Sequence, residues 1–533
     1  MAFVPLLALA MPPRPGLNAP EPVYPKGVEV AGPNKLKGFG QLETVCILMD
    51  FPDNVADSIR RPAARFDSML YSTGVYTGQQ YRQGSLNDFY LENSYGNFHV
   101  LGGIAGNRWF RSTYNYSRYY DGNYMLSTGG QLASENVAQV DASVDFSQYD
   151  LNHDGHIDAL FMVHAGSDGA DDGNVNHCWS HARPSFNYTT NDGVVIDGVT
   201  NVPEFAMVTP ARETTMCCIA VMCHEMGHLV GLPDLYDQSR YDWGPGYWGL
   251  MAYGAWGAGG NTPWSPSHME AWSMNEAGFA TPIVITHDTS DLHILDVETH
   301  PIIYKVWRNG VNTDSCFLLE NREQKGFDTP LPGAGLLIWH IDYTQSGYYN
   351  IVDLEEDSTD HLSNGNGVRP DPHVYHPELG AASDPLPGTW NRTRFDNTSK
   401  PNSKNNHGQP TDVNVTNIHM LGDTVVCDVW FGASGIDVQP GATTAGGLKL
   451  APNPVMSSAT VRYSLPRAGL TSLGLYDISG KLVRRLVVGY QRSGENTVVV
   501  GRNGQDGAPL SSGVYLVRLQ AADYTAVAKL TIE

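Results

Sequence analysis

The eleven residues HEMGHLVGLPD, positions 224–234, carry side chains that could bind a metal ion and put it to use. His224 and His228 are four apart, so on a helix both imidazoles leave one face a turn apart, which suits two nitrogens converging on one Zn²⁺. Glu225 sits beside the first histidine, where its carboxylate reaches a water on the metal rather than the metal itself. Gly231 suits a left-handed helix stop and Pro233 prevents the helix from resuming. The chain therefore turns back and offers Asp234 as a third ligand, leaving a fourth position for water. Bound Zn²⁺ lowers the pKa of that water to about 7; a neighbouring carboxylate can take its proton and later hand it to a leaving amine. That is hydrolysis without a covalent intermediate, and no G-x-S-x-G or phosphate-cradling Gly-rich loop competes with it. Asp237, close in sequence, and Glu270, in SHMEAW, rival Asp234 as third ligand. The plainer alternative is a helix with two surface histidines.

A second motif, DLNHDGHID at 150–158, places Asp150, Asn152 and Asp154 at two-residue steps before Gly155. This copies the opening of a calcium loop, with the carbonyl of His156 and the carboxylate of Asp158 next in line. Position twelve is Phe161, where a full EF-hand has a bidentate glutamate, so the expectation is a shortened, structural Ca²⁺ loop running into a strand. The alternative is an ordinary Asx-rich turn. Asp168, Asp171 and Asp172 in SDGADDGN form a weaker second candidate.

These groups need elements to hold them. The mostly apolar run 213–231 predicts a buried helix, and GQLETVCILMDF and IDALFMVHAG predict strands. GSLNDFYLENSYGN predicts a helix with Ser85 as N-cap, Asp88 three residues on, and Gly96 as stop. The alternation of strand and helix implies an α/β or α+β catalytic domain over 38–285. Strand-like runs over 286–432, such as SCFLLEN and GAGLLIWHID, imply a β-sandwich packed on it. Residues 433–447 read as a linker, and the short alternating runs of 448–533 fit a small immunoglobulin-like β-sandwich. Residues 1–37 comprise an apolar start ending in Ala8-Leu9-Ala10, read as a secretory signal, and a Pro-rich lead.

The chain has 533 residues, a net charge of −23 and no Lys/Arg-rich run, which argues against nucleic acid or an anionic membrane as partner. No apolar stretch approaches the roughly 18 residues of a membrane span. The seven cysteines contain no CxxC pair; Cys316 and Cys427 lie in strand-like runs of one region and are a candidate pair.

HExxHxxGxxD followed by WGLMAYG, residues 248–254, resembles the metzincin arrangement. GLPDLYD and LMAYGAW are most similar to the secreted immune inhibitor A-like metallopeptidases. ILMDFPD, GSLNDFYLENSYGNFHV, DGHIDALFMVHAG, CWSHA and LLENREQKGFDTPLPGAGLLIWHID extend that resemblance over roughly 38–432. It implies zinc on His224, His228 and Asp234, Glu225 as general base, and Met251 as the hydrophobic floor beneath the metal. Tyr253 matches where some metzincins place a tyrosine that steadies the oxyanion; the alternative is a packed aromatic. Relatives often carry an inhibitory prosegment, but about 27 residues between Ala10 and the first strand are too few for an independently folding domain, which leaves three alternatives: no latency, a short inhibitory peptide, or a truncated start. The ending, with APNPVMSSATVRYSLP, LYDISGKLVRRL and SSGVYLVRL, resembles a Por-type secretion sorting domain and also the immunoglobulin-like domain of flagellar hook-capping proteins. The implied protein is an extracellular or cell-surface zinc endopeptidase, with protein or peptide substrates and secretion machinery as partners. A surface-binding or adhesive protein with a structural or inactive metal site is the rival.

Overall fold

The computed structural model describes residues 9–14, 40–76, 84–206, 215–216, 219–236, 244–258, 262–307, 315–345, 351–356, 379–432, 448–465, 469–477, 482–492, 494–503, 509–521 and 524–532. The chain divides into two units, residues 1–434 and 435–533. Among the described residues, no helix is long and apolar enough to cross a membrane.

Unit one is organised by an eight-stranded mixed sheet. Its strands are β1 (Leu9–Ala10), β2 (Gly40–Asp50), β3 (Phe98–Arg111), β4 (His156–Ile157), β5 (Ala159–Ser167), β6 (His181–Thr189), β7 (Val195–Ala206) and β8 (Thr215–Met216). The order is β1-β6-β7-β5-β2-β3, with β4 and β8 added against β7. β2 runs parallel to β3 and β5, and β5 parallel to β7, whereas β6 and β1 close the edge antiparallel. Apolar side chains on both faces of a strand require cover on both faces. On β2, Leu42, Cys46 and Leu48 enter one core, while Val45, Ile47 and Met49 enter another. Helices α1 (Ala63–Tyr71), α2 (Leu86–Asn93) and α5 (Ile219–Leu229) cover the first face; α3 (Gly129–Val140) covers the second. The short α4 (Gly169–Asp172) follows β5, and α6 (Ala271–Glu276) follows the site. α2 starts as expected: Ser85 and Asp88 form a reciprocal capping box, and Gly96 takes φ +77° beyond its end.

The helix expected over 213–231 is shorter. Thr215–Met216 is instead a strand paired antiparallel with Phe205–Ala206, and the helix begins at Ile219. The β6–β7 ladder ends at Asn201, so the last residues of β7 can pair with the β-branched Thr215, which overrides the apolar run's helical pattern. The other residues ahead of Ile219 in that expected helix, 213–214 and 217–218, lie outside the described residues.

Nine further strands follow: β9 (Ile283–Ile285), β10 (Thr289–Ile294), β11 (Tyr304–Val306), β12 (Ser315–Arg322), β13 (Gly335–Asp342), β14 (Val352–Leu354), β15 (Arg394–Phe395), β16 (Val413–Leu421) and β17 (Thr424–Phe431). They form two sheets, β10-β17-β16-β15 and β14-β13-β12-β11-β9, that bury a common core including Ile294, Phe317, Ile338, Val415 and Val429. A boundary at 285 cuts through this part, since Ile283–Ile285 already pairs with Tyr304–Val306. The outer face of β12 and β13 also enters the core of the first sheet through Cys316, Leu318, Leu337 and Trp339. Cys316 and Cys427 are therefore not a pair: both are free thiols, and they point into different cores.

Arg322 on β12 is fully buried and crosses this junction. Its guanidinium donates to the carbonyls of Trp248 (2.9 Å) and His268 (3.3 Å) and to Asp328 (2.8 Å from Nε), with Glu298 at 3.5 Å and Glu320 at 3.4 Å. Burial pushes the Glu298 carboxyl up, and that of Glu320 up to about 7, which limits how much negative charge collects around the one cation.

In unit two, β18 (Lys449–Ala451), β19 (Ser458–Leu465) and β22 (Gly494–Gly501) form one antiparallel sheet. β20 (Gly469–Asp477), β21 (Leu482–Gln491), β23 (Gly513–Ala521) and β24 (Tyr524–Ile532) form another. Val461, Tyr463, Leu473, Val500, Val517 and Leu530 contribute to one core. The expected linker 433–447 lies outside the described residues.

Candidate metal centre and cleft

All eleven residues of α5 are buried, His224, Glu225 and His228 included, so the histidines are not surface groups. Their rings stand 4.8 Å apart at 86°. Each Nδ1 faces a backbone carbonyl, His224 that of Leu250 at 2.9 Å and His228 that of Leu232 at 2.8 Å. A carbonyl only accepts, so each Nδ1 carries the proton and each Nε2 keeps its lone pair. Both Nε2 atoms are buried and make no hydrogen bond. Asp234 Oδ1 lies 3.2 Å from one and 3.3 Å from the other, and among the described residues these three side chains alone form a cluster able to hold a metal ion, with ligand atoms within 4.8 Å of one another. Buried imidazole nitrogens facing a carboxylate, each ring oriented from behind by a carbonyl, are the donor set Zn²⁺ takes. Burial alone would raise the Asp234 carboxyl, but the two imidazoles bring it below the usual range.

The local fold explains how eleven residues achieve this. Gly231 takes φ +98° and Leu232 N–H bonds back to Gly227 O at 3.0 Å, so the helix closes and Leu232 O returns beneath His228. Leu235 N–H then bonds to Met251 O at 2.9 Å, pinning the return stretch to the methionine turn. A Cβ on Gly227 would lie 2.4 Å from Met251 Sδ, so only glycine lets that methionine sit against the helix. Tyr253 is buried and packs edge-on against Tyr236, which packs in turn against the His224 ring. Tyr236, two residues past Asp234, was not singled out by the sequence pattern. Glu270 is not brought to the histidines: its Oε1 caps α6 by accepting from Ser273 N–H at 2.8 Å. Asp237 lies outside the described residues.

Glu225 is also fully buried, and burial, followed by the Asp234 and Asp168 carboxylates, pushes its carboxyl well up. A dication beside it acts in the opposite direction. Its Oε1 is not empty-handed: it accepts the N–H of Met11 at 2.9 Å. Residues 9–14, part of the stretch read as a leader, run along the edge of the sheet and through this cleft. Leu9 and Ala10 pair antiparallel with Ala182 and His181 of β6. The Met11 N–H also lies 3.3 Å from Ser180 O, and the Met11 carbonyl accepts from Trp179 Nε1 at 2.7 Å. Next, the Pro12 carbonyl accepts from Trp256 Nε1 at 2.9 Å, and Arg14 N–H donates to Ala170 O at 2.9 Å. Two prolines, lacking N–H and favouring extended backbone, end the ladder after Met11 without ending the extended course. Nothing in LAMPPR by itself signals this placement, because every contact is more than a hundred residues distant in sequence.

The 150–158 loop is closed by its own backbone. Asp150 accepts the N–H groups of Asp154 (3.1 Å) and Gly155 (3.0 Å), Asn152 Oδ1 that of Asp154 (3.0 Å), and Asp154 that of His156 (2.9 Å). Asp158 accepts from Glu43 N–H at 2.9 Å, and the His156 ring meets Asp197 at 3.1 Å. No three carboxylates or imidazoles converge there among the described residues. The second candidate is likewise dispersed: Asp168 binds Ser180 and Ala170 N–H, Asp171 faces Arg14, and Asp172 faces His177.

Residues 44–280 match the catalytic domain of the immune inhibitor A peptidase family M6, and residues 449–533 match the secretion system C-terminal sorting domain. The latter puts the chain outside the cell or on its surface. Pre-pro-metalloprotease PrtV of Vibrio cholerae serotype O1 is 27% identical over 45% of this chain and 31% of its own length. Immune inhibitor A of Bacillus thuringiensis subsp. alesti is 30% identical over 26% of this chain and 24% of its own. The chain thus spans less than a third of the length of these relatives. Among solved structures, dimeric latent PorU from Porphyromonas gingivalis is 21% identical over 21% of this chain and 11% of that one, at a TM-score of 0.15, too little to bear on the fold.

Proposed function

We propose that this chain, in which residues 44–280 are an immune inhibitor A peptidase M6 catalytic domain, is a secreted zinc-dependent endopeptidase acting on extracellular proteins. His224, His228 and Asp234 would hold the ion, which when bound supplies a water of pKa about 7 and polarises the substrate carbonyl. The observation that carries the reading is a peptide main chain already lying in the cleft, with its Met11 N–H 2.9 Å from Glu225. In this reading that nitrogen stands in for the leaving amine of a substrate. Glu225 there holds the proton taken from water and passes it to the amine as the bond breaks. The edge of β6 aligns the acyl side of a substrate by antiparallel pairing, and Trp179 Nε1 and Trp256 Nε1 fix carbonyls on the amine side, so orientation comes from main-chain contacts common to any extended peptide.

The metzincin-like assignment of the catalytic part, the β-sandwich after it and the immunoglobulin-like sandwich of unit two belong to this reading. They are supported by the glycine-stopped helix above Met251 and by one core shared between each pair of sheets. Tyr253, one aromatic removed from His224, is assigned to packing rather than to the oxyanion. A structural Ca²⁺ on the 150–158 loop is kept as part of the proposal, supported by the spacing of Asp150, Asn152 and Asp154 and by the turn at Gly155, φ +87°.

Chelation separates the two ions. After EDTA treatment and dialysis, Zn²⁺ alone is expected to restore cleavage of an unfolded protein, whereas Ca²⁺ alone restores thermal stability without cleavage. A fully zinc-loaded chain that cuts nothing would favour a binding or adhesive role with a structural metal. A Tm indifferent to Ca²⁺ removes the ion from the loop.

A further inference from the structure

The stretch CWSHA, residues 178–182, lines the cleft with its main chain. Cys178 O accepts from Gly169 N–H, Trp179 Nε1 reaches the Met11 carbonyl, Ser180 O lies 3.3 Å from the Met11 nitrogen, and His181 and Ala182 pair with Ala10 and Leu9. Glu225 also accepts the Ala182 N–H. On the basis of the peptidase reading above, we propose that Asp168 is a positioning residue that holds the Ser180 carbonyl against the N–H of the leaving amine.

One N–H here serves two acceptors: the Met11 nitrogen is 2.9 Å from Glu225 Oε1 and 3.3 Å from Ser180 O. During cleavage the two acceptors part. Glu225 takes a proton from water, the water oxygen adds to the carbonyl carbon, and the amide nitrogen regains a lone pair. That lone pair must face the protonated Glu225 and receive its proton as the C–N bond breaks. The nitrogen's own hydrogen then needs an acceptor other than Glu225, and Ser180 O lies beside it. This bond strengthens as the nitrogen gains positive charge, so a well-placed carbonyl speeds the step more than it tightens binding.

Asp168 fixes where that carbonyl points. Its Oδ1 accepts the Ser180 N–H at 3.2 Å and the Ala170 N–H at 2.9 Å, and its Oδ2 accepts the Ser180 hydroxyl. One carboxylate thus grips Ser180 through both main chain and side chain. Burial pushes the Asp168 carboxyl up to about 6, which leaves it ionised and purely an acceptor at neutral pH. The next residue is strapped to the same wall: Gly169 N–H bonds to Cys178 O at 2.9 Å, and a Cβ on Gly169 would meet Tyr124 Cδ1 at 2.8 Å and His177 O at 2.9 Å. None of these contacts is made by residues 9–14, so exchanging that segment removes none of them.

Two measurements on the full zinc-loaded chain test this. The first uses the chain with residues 11–14 replaced by Gly-Ser-Gly-Ser. It compares a peptide with its depsipeptide, in which an ester replaces the scissile amide and no N–H faces Ser180 O. Asp168→Ala is expected to lower kcat for the amide about tenfold with KM little changed, and to leave the ester rate as it was. Asp168→Asn keeps an oxygen for both N–H groups and should recover most of the loss. A loss shared equally by amide and ester, or none for either, overturns the assignment, as does Asp168→Asn as slow as Asp168→Ala. If the ester resists cleavage altogether, a fall in the amide rate carried by KM overturns it. Should Asp168→Ala fail to fold, Ser180→Ala, which removes only the hydroxyl contact, carries the same contrast at about threefold. The second is hydrogen exchange of the Met11 amide in the native chain, which needs no catalysis; Asp168→Ala should speed it about tenfold while amides of β2 and β5 are unchanged. If no chain cuts either substrate, the peptidase reading fails, and exchange alone decides whether Asp168 holds this main chain. Unchanged exchange then overturns that as well.

Discussion

Replacing Glu225 with glutamine in the zinc-loaded chain is expected to lower kcat/KM against an unfolded protein by about 10³-fold, within the 10²–10⁴ that a positioned acid–base group contributes. The substitution keeps the size of the side chain and an oxygen able to accept the Met11 N–H, so the cleft keeps its shape. It leaves the two imidazoles, their carbonyl partners and Asp234 untouched, so zinc content measured by atomic absorption should remain at one per chain. What is lost is the ability to take and return a proton. A variant retaining more than about a tenth of the wild-type rate would remove Glu225 from that role. Loss of zinc together with activity would instead make Glu225 a support for the metal.

The second large effect concerns residues 9–14. A peptide chain cannot pair and bond where the β6 edge, the two tryptophan donors and the Glu225 carboxylate are already engaged. A tethered segment competes at an effective concentration in the millimolar range, so even an intrinsic Kd of about 10–100 μM leaves only about 1–10% of clefts open. Exchanging residues 11–14 for Gly-Ser-Gly-Ser should therefore raise the initial rate by about 10–100-fold. The free peptide LAMPPR, added in excess, should inhibit that variant competitively. Equal rates for the two chains would mean that the segment leaves the cleft readily and imposes no latency. Six extended residues lie along an existing sheet edge and reach Glu225, a placement that requires no folded domain of their own.

The clustering of His224, His228 and Asp234 is legible from sequence because it is local. His224, His228, Gly231 and Asp234 lie within one helix and its return, and helical periodicity with a glycine stop predicts how they converge. The capping box at Ser85 is legible for the same reason. What escapes is set by partners remote in the chain. Thr215–Met216 reads as helix because an apolar run does not reveal that the end of β7 extends past its ladder with β6. Trp179 and Trp256 carry no motif, and no local pattern shows that residues 11–14 come to lie against them. Cys316 and Cys427 look alike in sequence, and only the pairing of strands into sheets shows that they face separate cores.

Arg322 bears on where this protein can be cut. The family match ends at residue 280, and a laboratory fragment trimmed there would look like a minimal enzyme. Yet the carbonyl of Trp248, three residues before Met251, is held by a guanidinium that such a fragment lacks, along with Leu318, Leu337 and Trp339 from the core that β12 and β13 share with the first sheet. Exposed apolar surface and an unanchored methionine turn should make the 1–280 piece insoluble on expression, while 1–434 remains soluble and binds zinc. A soluble, zinc-binding 1–280 fragment would count against this. The indivisible piece is larger than the recognisable one, so an insertion or deletion among the later strands is, for the cluster of His224, His228 and Asp234, a change in its foundations.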